Sequence, residues 1–230
     1  VDQPYYAVKA NPHPDVLRCL YDEGLGFECV SLGEVERVFE AVPQVDPQRV
    51  LFQPNFAAVD EYRAAFERGV RITLDNVQPL EQHPEVFAGQ TIFLRIDPGR
   101  GHGHHRHVRT AGAQSKFGIV PDELPQARAL AKQHNVRIQG LHVHVGSGIR
   151  RAEPWADIAA FLGSLASDFA DVEILNVGGG LGVPERPGGD RLPLKALNDR
   201  LKAFKQSHPQ YTLWMEPGRF LVAEAGALLA

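Results

Sequence analysis

A chain of 230 residues that is 43% hydrophobic holds enough apolar material for one large domain with a substantial core, which excludes disordered and collagen-like readings. Its formal net charge is −4 with acids and bases interleaved, so no basic stripe is available to nucleic acid. No apolar run approaches membrane-spanning length, and Cys19 and Cys29, lacking metal or redox spacing, read as free thiols of a reducing, cytoplasmic compartment.

Because the chain begins at Val1, its natural start is expected upstream. The first β-prone run is Tyr5-Tyr6-Ala7-Val8-Lys9, stopped by Asn11-Pro12-His13-Pro14, which reads as a buried strand with Lys9 at its tip. A lysine so placed either snorkels to water or serves as a Schiff-base nucleophile within reach of a bound cofactor. Helical periodicity follows over residues 15–22, strand character over 26–30, helix over 32–41, strand over 50–53, helix over 59–68, then strands over 70–74 and 92–96. A connection over 98–114 has a length usually reserved for functional or mobile loops. Beyond it come helix 123–134, strand 138–145, helix 156–169, strand 173–177, helix 194–207 and strand 211–216. Eight strands alternating with helices predict an α/β fold, a parallel (β/α)8 barrel occupying residues 1–230 as one domain. The competing doubly wound sheet usually stops at about five to seven strands and gathers its ligand at one switch point.

Three glycine- or acid-bearing segments follow the last three strands. In His142-Val143-His144-Val145-Gly146-Ser147-Gly148, strand alternation predicts both imidazoles on one side, ahead of a turn whose amides and Ser147 hydroxyl suit an anion. The two histidines could equally be packed core or a metal pair, but no third ligand follows at a fitting spacing. Asn176-Val177-Gly178-Gly179-Gly180-Leu181-Gly182 offers backbone without Cβ interference, as a phosphate needs, although it lacks the spacing of a dinucleotide fingerprint. Trp214-Met215-Glu216-Pro217-Gly218-Arg219 brings a carboxylate and a guanidinium to the same rim. Two glycine loops with an arginine describe a phosphate cup, expected across the barrel from Lys9, and Glu216 could pair with a cationic ring nitrogen. Lysine, cup and acid together suggest pyridoxal 5'-phosphate. His102-Gly103-His104-His105-Arg106-His107 invites a zinc reading, set aside in favour of no physiological metal.

Ser31-Leu32-Gly33-Glu34, Leu94-Arg95-Ile96 and Ser115-Lys116-Phe117-Gly118 join these motifs, and the ordered set resembles the barrel of the fold-type III pyridoxal-phosphate decarboxylases, the ornithine, diaminopimelate and arginine decarboxylase family. That resemblance implies that Lys9 bonds the cofactor, His144 stacks on its ring, and Glu216 keeps the ring nitrogen protonated. Ser147, Gly179, Gly180, Gly218 and Arg219 would hold the phosphate, with Arg95 near the phenolic oxygen. Glu28 stands where the family commonly has Asp, keeping the charge with a longer reach. Glu216 argues against the racemase branch, which puts Arg at the ring nitrogen. The implied activity is decarboxylation of an amino acid, first meso-diaminopimelate, with ornithine, arginine or carboxynorspermidine as alternatives and a non-catalytic cofactor-binding barrel as another class. It also implies a homodimer whose site is completed by a C-terminal β-domain that this chain lacks.

Overall fold

The computed structural model describes residues 1–99, 117–186 and 188–226 and closes eight parallel strands into one barrel in sequence order. The strands are β1 (Gln3–Ala7), β2 (Gly26–Cys29), β3 (Val50–Phe52), β4 (Arg71–Leu74), β5 (Thr91–Arg95), β6 (Arg137–His142), β7 (Ile174–Asn176) and β8 (Thr212–Met215). Closure runs through Gln3 opposite Trp214 and Pro4 opposite Met215. Around the strands lie α1 (Pro14–Asp22), α2 (Leu32–Ala41), α3 (Val59–Glu67), α4 (Gln78–Gln82), α5 (Pro84–Phe87), α6 (Leu124–Gln133), α7 (Glu153–Ala166), α8 (Leu194–Ser207) and the short α9 (Arg219–Val222).

Each long helix turns an apolar stripe to the barrel and its charges to solvent. In α2, Val35, Val38 and Ala41 are buried at helical spacing. Its start is fixed by a reciprocal cap: the Ser31 Oγ accepts the Glu34 amide at 3.3 Å, and Glu34 Oε2 accepts the Val30 amide at 2.8 Å. Strands covered on both faces need near-continuous apolar sequence, and β2, β3 and β7 are buried at every position.

The amino-terminal end of the barrel is sealed by Tyr5, Leu51, Phe93, Ile174 and Trp214. Phe93 and Trp214 stack at 5.3 Å between centroids, and the Arg71 guanidinium lies 5.0 Å from the Trp214 ring. Gly140 makes room for this plug, since a Cβ there would fall 2.4 Å from the Phe93 ring. At the opposite end the layer is polar. Lys9, Glu28, Gln53, Asp75, Arg95, His142, Asn176 and Glu216 stand at the carboxyl ends of β1 to β8 in turn, the end on which barrel ligands bind.

Three differences from the periodicity have a structural cause. β1 ends at Ala7, and Lys9 sits in a 3-10 turn over Val8–Ala10 that the Asn11 amide closes on the Val8 carbonyl at 3.1 Å. β6 ends at His142, because the chain beyond it folds back against the glycine loop that follows β7. The segment between β4 and β5 carries α4 and α5, too short and too interrupted by Pro79 and Pro84 to show a helical period. Most of the long 98–114 connection, with His102–His107, Ser115 and Lys116, lies outside the described residues.

Candidate active site

Strand register brings Lys9 and Glu28 together: Ala7 pairs with Glu28 across β1 and β2, and one turn further the Lys9 ammonium forms an ion pair with Glu28 Oε2. The Lys9 side chain is 51% exposed, so its Nζ is reachable, whereas Glu28 is buried. Desolvation of the ammonium against the buried Glu28 carboxylate works against the Lys9 charge even though half of the side chain is exposed, but the charge and hydrogen bond of Glu28, with Glu216 and Glu34 beyond, outweigh it and raise the lysine above its ordinary value. Glu28 is also pushed up, by its own burial first, against the pull of Lys9.

Glu216, at the end of β8, is the best-held acid of the rim. Its Oε1 accepts from Gln53 Nε2 at 2.5 Å and from Asn176 Nδ2 at 2.6 Å, while Oε2 lies 3.2 Å from His142 Nε2. Burial would raise its pKa, but His142, then Lys9 and the Asn176 hydrogen bond, overcome that and bring it down to about 2.

The two histidines part company beyond β6. His142 is buried against Glu216, and His144 Nδ1 accepts the Gly179 amide at 3.4 Å. Burial, then the neighbouring Arg95, Lys9 and His142, holds His144 down to about 3, which makes it a neutral imidazole. Among the described residues no group of three or more His, Cys, Asp or Glu could hold a metal ion.

The glycine loop owes its shape to contacts that leave no space for side chains. A Cβ at Gly178 would sit 2.4 Å from the Val143 carbonyl oxygen, at Gly179 2.1 Å from that of Glu216, and at Gly180 2.1 Å from that of Gly146. From α7, the Trp155 indole donates to the Gly179 carbonyl at 3.1 Å, and Ile149 bonds Gly180 and Gly182. Gly180 also has φ of +89°. Gly180→Ala is therefore expected to destabilise the protein by about 1–3 kcal/mol, read as a lowered thermal midpoint, and an unchanged midpoint would remove this account of the loop.

Arg95 donates to Asn55 Oδ1 at 2.9 Å and lies 4.9 Å from the centre of the Phe117 ring, with burial lowering its pKa against the pull of Glu216 and Asp75. Ser147 is half-buried beside the loop, and Arg219 is exposed at the start of α9. Gly218 corrects the expected layout: a Cβ on it would lie 2.9 Å from Ala7 Cβ and 3.2 Å from Ala10 Cβ. The β8 end of the cup therefore adjoins the Lys9 turn, because barrel closure makes β8 the neighbour of β1. Sequence reasoning missed Gln53 and Asn55 altogether, and did not assign His142 and Asn176 to Glu216. The available signal was a polar residue at the carboxyl end of an apolar strand run.

The family described as "Pyridoxal-dependent decarboxylase, pyridoxal binding domain" matches residues 2–223. The chain belongs to this family. Diaminopimelate decarboxylase of Methanothermobacter thermautotrophicus is 34% identical over 99% of the chain and 55% of its own length. That of Streptomyces coelicolor is 33% identical over 98% and 53%. Diaminopimelate decarboxylase of Helicobacter pylori complexed with L-lysine superposes with a TM-score of 0.82 at 26% identity, covering 97% of this chain and 58% of that one. The arginine decarboxylase of Paramecium bursaria Chlorella virus gives 0.78 at 28%, covering 95% and 58%. The pyridoxal binding barrel thus spans about half the length of the curated relatives it matches.

The residues present fit pyridoxal phosphate. An ionised, buried Glu216 matches a protonated ring nitrogen, the reachable Lys9 amine matches an aldehyde, and a loop whose glycines admit no Cβ matches a group that must approach backbone closely.

Proposed function

We propose that the protein containing this barrel decarboxylates meso-diaminopimelate to L-lysine and carbon dioxide. The observation that carries the reading is the clamped, ionised Glu216 sharing a rim with the accessible Lys9. The curated relatives are named for this activity, and a superposing structure is described with L-lysine bound. Bound here, pyridoxal phosphate supplies an electron-withdrawing ring that takes up the electron pair left when the bond between Cα and the carboxylate breaks. Lys9 is the amine that attaches it, and only a neutral amine attacks a carbonyl. Glu28, raised by burial and in contact with Nζ, is the place for that proton. Glu216 keeps the ring nitrogen protonated, and His144 offers a neutral face to the ring. Ser147, Gly179, Gly180, Gly218 and Arg219 take the phosphate, and Arg95 lies toward the phenolic oxygen. A proton must replace the lost carboxylate on Cα, and its donor is expected in a C-terminal β-domain, partly across a homodimer interface, in a cytoplasmic enzyme. No described helix is long and apolar enough to cross a membrane.

The likeness to an arginine decarboxylase favours a second reading, in which the substrate is another cationic amino acid. Carbon dioxide release by the full-length protein from meso-diaminopimelate, ornithine, arginine and carboxynorspermidine separates the two. Release from meso-diaminopimelate alone is expected, and release from none of the four would overturn the proposal.

A further inference from the structure

Glu216 is held unevenly. Oε1 takes two short hydrogen bonds, from Gln53 at 2.5 Å and Asn176 at 2.6 Å, at the carboxyl ends of β3 and β7, while among the described residues Oε2 has only the 3.2 Å approach of His142. With two donors already on Oε1, the oxygen left to meet a ligand is Oε2. The two carboxamides are themselves directed. Asn176 accepts the Gly178 amide through Oδ1 at 3.0 Å, which leaves its nitrogen facing Glu216 and ties the carboxylate to the glycine loop. Gln53 shows the same orientation at a cost, since its Oε1 is buried without a hydrogen-bond partner. A buried unsatisfied carbonyl is tolerated only where the alternative is worse, and turning the amide over would set that oxygen against the Glu216 carboxylate.

Resting on the cofactor reading above, we infer that Gln53 and Asn176 are positioning residues that lock Glu216 Oε1, keep the carboxylate charged in the barrel interior, and thereby present Oε2 to the cofactor ring nitrogen. Neither residue touches the reacting atoms in this scheme. Asn176 additionally links the ring-nitrogen end of the site to the phosphate end, because one carboxamide serves both Glu216 and the loop. The lowered pKa of Glu216 agrees, Asn176 being among its causes.

The isosteric exchanges Gln53→Glu and Asn176→Asp test this, because each preserves shape while replacing a donor by an acid. The readout is the protonation of Glu216 in full-length protein stripped of cofactor, followed by infrared difference spectroscopy against Glu216→Gln across acid pH. Each exchange is expected to raise the pH of that protonation by at least about one unit, and in reloaded enzyme to lower kcat by at least about tenfold with KM nearly unchanged. Gln53→Met, which removes the donor without adding charge, is expected to shift the protonation in the same direction by less, and serves if either acid variant fails to fold. An unchanged Glu216 protonation in the folded variants would overturn the inference. A wild-type protein that releases no carbon dioxide would strike the proposed activity instead, since the protonation readout needs no turnover.

Discussion

Replacing Glu216 by Ala is expected to lower kcat by about 10²–10³-fold, the range for removing one preorganised electrostatic partner, while the protein still retains some pyridoxal phosphate. The loss would fall on turnover because the ring draws electrons only while its nitrogen keeps a proton, whereas the phosphate and amine contacts proposed above fall to other residues. The same residue governs acid stability. Its folded pKa is lowered from 4.5 to about 2, so it stabilises the fold above the unfolded value and that stabilisation is lost as pH falls from about 4.5 toward about 2. A shift of that size corresponds to roughly 3 kcal/mol for a buried group. Glu216→Gln should therefore flatten the acid limb of the stability curve measured by urea unfolding across that window. Near-normal kcat in the Ala variant would eliminate the assigned role, and an unchanged acid limb in the Gln variant would show that the carboxylate is not held in its charged form.

The barrel was legible because its strands are covered on both faces. Runs such as Val50-Leu51-Phe52 and Ile174-Leu175 are short, apolar and separated by helical periods, and eight such units in order suit a closed parallel barrel. What failed were endings set by tertiary contacts. Strand propensity carried 138–145 on to Val145, but the approach of Gly178 to Val143 and His144 turns the chain after His142. Likewise Lys9 looks like the end of a strand, and only the 3-10 turn over Val8–Ala10, closed by the Asn11 amide on the Val8 carbonyl, shows that the strand has already stopped at Ala7.

At the site, sequence motifs supplied the residues proposed to touch the cofactor but not the ones that hold them. Gln53 belongs to no motif, and its contact with Glu216 spans 163 positions, a distance that no local pattern encodes. Asn176 and His142 stood inside quoted motifs, yet what each does depends on which strands the barrel makes adjacent. The placement of Gly218 beside Ala7 and Ala10 is the same lesson: in a linear sequence β8 is farthest from β1, and closure makes it the neighbour.

The Lys9–Glu28 pair yields the other large effect. Lys9→Ala is expected to abolish borohydride-stable attachment of pyridoxal phosphate, read by peptide mass, and to lower kcat with it, because the amine that attaches the cofactor is gone. It should also change how the fold responds to pH. Without the ammonium, Glu28 is a buried carboxyl with Glu216 and Glu34 as its charged neighbours, so its pKa, already raised by burial, rises further. A group raised in the folded state stabilises at low pH and loses that contribution as pH climbs through the folded value. The Ala variant should thus lose thermal stability relative to the parent as pH rises from the ordinary carboxyl value of 4.5 into the range where buried Glu28 ionises. Adding Glu28→Gln should restore much of it, because the amide removes the charge that burial penalises while leaving its size nearly unchanged. Were the double variant no more stable than Lys9→Ala at the upper end of that range, the lysine would be shown to do no electrostatic work on Glu28. Its proximity to the carboxylate would then leave Lys9 as an amine without a local proton acceptor.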